Sequence, residues 1–127
     1  MPITPEEWII HAQSDLNLAK LGRENGSILP EQLCFHAQQA VEKSLKALLL
    51  FLKIDFPLTH DLEELVDIIK LTDISVPSFF NKSGTLTPYA VETRYPGLWG
   101  EITKNDVDNA ISLSEQIMSW VKAYISD

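Results

Sequence analysis

The chain has 127 residues, 45% apolar and 22% charged, which are the proportions of one globular domain and not of a disordered or low-complexity chain. Ten Lys+Arg against eighteen Asp+Glu leave a formal net charge of -8. That balance disfavours a protein whose main work is non-specific attraction to a phosphate backbone, although a small cationic pocket on an acidic body stays open.

The chain starts Met-Pro-Ile-Thr-Pro-Glu-Glu, with neither a basic leader nor an apolar signal core, so one cytoplasmic domain over residues 1–127 is expected. Thr4 can cap a first helix, Pro5 suits its first position, and Glu7 stands three residues after Thr4, as a capping box requires. Trp8, Ile9, Ala12, Leu16 and Ala19 follow one face, and Asn25-Gly26-Ser27 stops the helix. Pro30 opens a second helix that the pattern extends to Leu52 or Lys53. It ends in the apolar run Ala47 to Leu52, six residues against the roughly 20 that span a bilayer. This run is apolar on every side, so the helix is either central in its bundle or shared with a second subunit.

Asp55-Phe56-Pro57 breaks the chain, and Thr59 can cap a third helix with Asp61, Glu63 and Glu64 in its first turn. Its buried face is Leu62, Leu65, Val66 and Ile69. From Asp73 to Thr87 the pattern degrades into irregular chain with short helical turns. One of these starts at Thr87-Pro88, runs to about Thr93 and is ended by Tyr95-Pro96-Gly97. The last helix spans Lys104 to Ser126, with Thr103 and Asp106 as a shortened capping box. Its stripe of Val107, Ala110, Ile111, Ile117, Met118 and Val121 is interrupted only by Ser114. The expected fold is an all-α up-and-down bundle of four long helices, with a short irregular and helical segment before the last.

His11, His36 and His60 are the obvious titratable candidates, but none falls in a metal-ligand spacing, and a lone histidine usually has a structural role. One cysteine, Cys34, excludes an internal disulfide and reads best as a small core residue. On the second helix, His36, Gln39, Lys43 and Lys46 lie within about 80° of one another. This polar stripe is either the solvated side of the helix or an electropositive lining able to meet a phosphate or carboxylate. The segment Leu86–Gly97 concentrates Tyr89, Arg94 and Tyr95. A guanidinium fork and two phenols suit a phosphate and a base, and they equally suit a loop stapled to the bundle.

Phe35 to Leu49 (Phe-His-Ala-Gln-Gln-Ala-Val-Glu-Lys-Ser-Leu-Lys-Ala-Leu-Leu) resembles the second-helix signature of HEPN domains. Thr59-His60-Asp61-Leu62, Leu86-Thr87-Pro88-Tyr89 and Arg94-Tyr95-Pro96-Gly97 resemble that family's next landmarks, in order. Ala12, Asp15, Leu16 and Ala19 fit its first helix. The resemblance implies a helical bundle, usually a homodimer, with a link to nucleotides or RNA and no cofactor. It also implies partnership with a minimal nucleotidyltransferase, often as a toxin–antitoxin pair. Catalytic members cut RNA without metal through an Arg followed four to six residues later by a His. Here no histidine follows Arg94, so no catalytic residue is carried over. The matching positions form a candidate nucleotide-binding set: His36, Gln39, Lys43, His60, Tyr89, Arg94 and Tyr95.

Three functions compete on these residues. One is a nucleotide- or RNA-binding domain acting with a separate nucleotidyltransferase. Another is a metal-independent ribonuclease with Arg94 steadying the phosphate and His36 or His60 as acid and base. The third is a dimerisation module. The first expects His36, Lys43, His60, Arg94 and Tyr95 to converge on one cleft, between a cationic wall on the second helix and the free N–H groups that start the third.

Overall fold

The computed structural model describes residues 3–90 and 101–126. Side-chain caps set most of the helix starts. Helix α1 runs Pro5–Arg23. Thr4 Oγ1 accepts from the Glu7 N–H at 3.1 Å and Glu7 Oε2 accepts from the Thr4 N–H at 3.3 Å, the expected capping box. Helix α2 runs Pro30–Phe51 with Pro30 at its first turn and no side-chain cap. Helix α3 is Leu62–Lys70, nine residues and therefore shorter than the long helix the sequence suggests. Its cap is Asp61 and not Thr59; Asp61 Oδ1 accepts from the N–H groups of Glu63 and Glu64. Thr59 serves one step earlier, its hydroxyl accepting from the Asp61 N–H at 3.0 Å and so holding the cap residue in place. The chain before α4 folds into two 3-10 helices, Ser78–Thr85 and Thr87–Ala90. Helix α4 is Lys104–Ser126, opened by reciprocal bonds between Thr103 and Asp106 at 2.9 and 3.1 Å.

The end of α2 falls one or two residues before the expected Leu52 or Lys53, for a backbone reason. Lys53 adopts a left-handed φ of 60°, its N–H bonds to the Leu50 carbonyl at 3.0 Å, and the Ile54 N–H reaches the Leu49 carbonyl at 2.9 Å. This paired motif normally uses glycine at the left-handed position, because a Cβ there meets the backbone. Lys53→Gly is therefore expected to raise stability by about 0.5–1 kcal/mol, the relief of that strain less the extra entropy glycine gives the unfolded chain. Chemical denaturation of the two proteins checks it.

Helix α2 is the axis of the bundle and packs against α1, α3, α4 and the second 3-10 helix. That placement resolves the fork posed by its apolar run. Ala47, Leu48 and Leu49 are wholly buried within one chain, and only Phe51 of the run is exposed. The run thus needs no second subunit to cover it. Phe80 anchors the 3-10 segment: it is fully buried, stacks on Phe79 at 5.5 Å and meets the Trp120 ring edge-on at 5.3 Å. Ser114, the break in the α4 stripe, is completely buried, and its hydroxyl has no partner among the described residues. No helix among the described residues is long and apolar enough to cross a membrane.

Candidate functional site

A central helix should be apolar all round, yet α2 carries a polar sector. Gln38, Glu42, Lys46, Gln39, Lys43 and His36 span about 160° of its circumference. Burying charges there demands partners, and the structure supplies them in two clusters of the same composition. In the first, Asp15 projects from α1 and divides its carboxylate. Oδ2 accepts from Lys43 Nζ at 2.6 Å, and Oδ1 meets His36 Nδ1 at 2.9 Å. In the second, Glu42 does the same within reach of α3. Its Oε2 accepts from Lys46 Nζ at 2.9 Å, and its Oε1 meets His60 Nδ1 at 2.8 Å. Each is a lysine–carboxylate–imidazole triad.

The triads differ in depth. Glu42 and Lys46 are 5% and 9% exposed, whereas the His60 side chain is 54% exposed and stands at the rim. Burial pushes the Glu42 carboxyl up, but hydrogen bonds from His60, Lys46 and Gln38, with the Lys46 charge, outweigh it and hold the group below its ordinary value. Gln38 is fully buried; its amide donates to Glu42 Oε1 at 3.1 Å and to the His60 carbonyl at 3.5 Å, and accepts from Gln39 Nε2 at 2.7 Å. Lys46 also lies 5.7 Å from the centre of the Trp8 ring. Asp15 and Lys43 are more accessible, and the His36 ring meets Phe35 edge-on.

Four of the seven sequence candidates therefore share one band: His36, Gln39, Lys43 and His60. The electropositive wall expected on α2 does not form, because Asp15 and Glu42 cancel Lys43 and Lys46. Nor is the start of α3 open to an anion. Asp61 takes two of its N–H groups, and Thr87 Oγ1 accepts a third, from Leu62, at 3.0 Å.

Tyr89 lies apart from the band. It hydrogen-bonds with Cys34, and burial raises the phenol to about 12 and the thiol to about 11. Tyr89 also lines a cleft of about 420 Å³ between the 3-10 segment and α4, into which Lys82, Asp106, Asn109 and Gln116 face. Arg94 and Tyr95 lie outside the described residues, as does the expected end of the turn near Thr93. His11 is exposed on α1 and belongs to neither triad. Among the described residues no group of three His, Cys, Asp or Glu side chains could hold a metal. Beside His36 an apolar groove of about 310 Å³ runs between the end of α1 and the start of α2, walled by Leu18, Leu21, Ile28 and Leu33.

Sequence reasoning missed Asp15, Glu42 and Gln38 as site residues. Asp15 had a legible signal, an acid at a core position of the α1 stripe between Ala12 and Leu16. Glu42 lies four residues before Lys46, the spacing of a helical ion pair.

A helical bundle whose central helix carries a band of buried ion pairs defines the structural class. The HEPN domain model matches residues 5–124, and the chain belongs to the HEPN domain family. Its fold is similar to that of an archaeal HEPN homologue, at 28% identity and a TM-score of 0.76 over 98% of this chain and 99% of that one. It is similar also to a protein from Thermus thermophilus, at 26% identity and a TM-score of 0.78 over 94% and 96% of the two chains. A search of curated proteins found no match.

Proposed function

We propose that this HEPN domain binds the phosphate of a nucleotide or RNA along the α2 band and acts with a separate minimal nucleotidyltransferase. In this reading it works in the cytoplasm as a homodimer and as one half of a toxin–antitoxin pair. The observation that carries it is the pair of triads. Both imidazoles are held by Nδ1 against a carboxylate, which turns both Nε2 edges away from their anchors. The apolar groove beside His36 offers room for a base next to that edge. Arg94 and Tyr95 join the reading through the resemblance of their motif alone.

Titration calorimetry with ATP, GTP and a short single-stranded RNA tests it. At least one should bind, and Lys43→Gln, which leaves the Asp15 carboxylate without its cation beside the phosphate, should weaken it about tenfold. Absence of binding by all three overturns the reading, and light scattering that returns 14.3 kDa overturns the dimer.

A second reading, metal-independent ribonuclease, draws support from the same carboxylate-anchored histidines, since such anchoring orients a general base. The missing Arg-to-His spacing speaks against it. Robust RNA cleavage in chelator, abolished by Arg94→Ala, would reverse the order of the two readings.

A further inference from the structure

We propose that the α2 band takes a phosphate oxyanion only together with protons, each triad supplying one imidazolium. This rests on the nucleotide-binding reading and adds a source of positive charge within the triads themselves.

The charge count makes the case. Lys43 is cancelled by Asp15 and Lys46 by Glu42, so with neutral imidazoles the band carries no net charge on a chain of -8. The lysines are also committed to their own partners. Lys43 Nζ sits 2.6 Å from Asp15, and Lys46 is buried against Glu42. Among the described residues, the charged groups paired around His36 are Asp15 of α1 and Lys43 of α2. Those around His60 are Glu42 and Lys46 of α2, with Asp61 next along the chain. Imidazole is the side-chain type that ordinarily changes charge between about pH 5 and 8.

Geometry then decides what each proton does. A carboxylate only accepts, so the Nδ1 facing it carries the hydrogen and the neutral ring leaves its lone pair on Nε2. A lone pair repels an oxyanion. Protonation turns that edge into an N–H donor and leaves the carboxylate bond in place, so no side chain has to move. Each triad passes from a net charge of zero to +1. Among the described residues no group of three His, Cys, Asp or Glu side chains could hold a metal at these edges.

The test is calorimetry with inorganic phosphate, ATP and a short RNA at pH 6 and pH 8, each in two buffers of different ionisation enthalpy. Binding should tighten at least tenfold between pH 8 and pH 6, with uptake largest at pH 8 and approaching two protons there. Uptake should fall to one in His36→Gln and in His60→Gln, whose amides still donate to the carboxylates, while His11→Gln keeps the wild-type response. The probe that tightens identifies whether a bare phosphate, a nucleotide or a polynucleotide is the source. Equal affinity at the two pH values, or heats independent of buffer, overturns the proton linkage while leaving the nucleotide reading intact. Failure of every probe at both pH values overturns that reading, and the linkage with it.

Discussion

Glu42→Ala is expected to cost about 3–5 kcal/mol of folding stability, the usual consequence of stranding one member of a buried ion pair. Lys46 would remain 9% exposed with no carboxylate opposite, and Gln38 and His60 would each lose an acceptor. The reverse change should be milder. Lys46→Met leaves Glu42 with His60 and Gln38, and it keeps an apolar stem beside the Trp8 ring. The pH dependence follows from the direction of the Glu42 shift. Its folded value lies below its unfolded one, so it contributes stability above the unfolded value. That contribution is lost as pH falls through the folded value, and Glu42→Gln should flatten the acid limb of the stability curve. Urea denaturation between pH 3 and 7 checks all three variants. A loss below about 1 kcal/mol in Glu42→Ala would mean that the pair is solvated and worth no more than a surface bridge.

The second large effect belongs to Phe80. Truncating this fully buried ring to alanine should cost about 3–5 kcal/mol, the transfer free energy plus an unfilled cavity. Its edge-on contact with Trp120 ties the 3-10 segment to α4, so the indole emission should shift as the contact is lost. Phe79 is only partly buried and stacks outside Phe80, so Phe79→Ala should cost clearly less. Equal losses in the two variants would place the anchor of the segment elsewhere.

Much of the helical frame was legible because its signals are local. Thr4 with Glu7 and Thr103 with Asp106 cap through atoms three residues apart, and both boxes form as the pattern predicts. The misjudged boundaries have local causes too, but ones that sequence leaves degenerate. Thr59 and Asp61 are both good caps, and the choice of Asp61 fell where the Thr59 hydroxyl could support it. Lys53 reads as a helix former and instead takes the left-handed turn that ends α2.

The candidate site divides along the same line. The sequence by itself determined that His36, Gln39 and Lys43 lie on one side of a helix, because a period of 3.6 residues per turn leaves no other arrangement. It also determined the family, through motifs that follow one another in a set order along this one chain. Only the tertiary structure decided the charge of that face. Asp15 reaches it from another helix, twenty-eight residues before Lys43, and His60 arrives from the loop before α3. A helical stripe read alone shows its own lysines and its own Glu42, but not Asp15, which a neighbouring helix lays over Lys43 and His36. Coulomb energy depends on distance in space, which chain position does not encode until the bundle has closed.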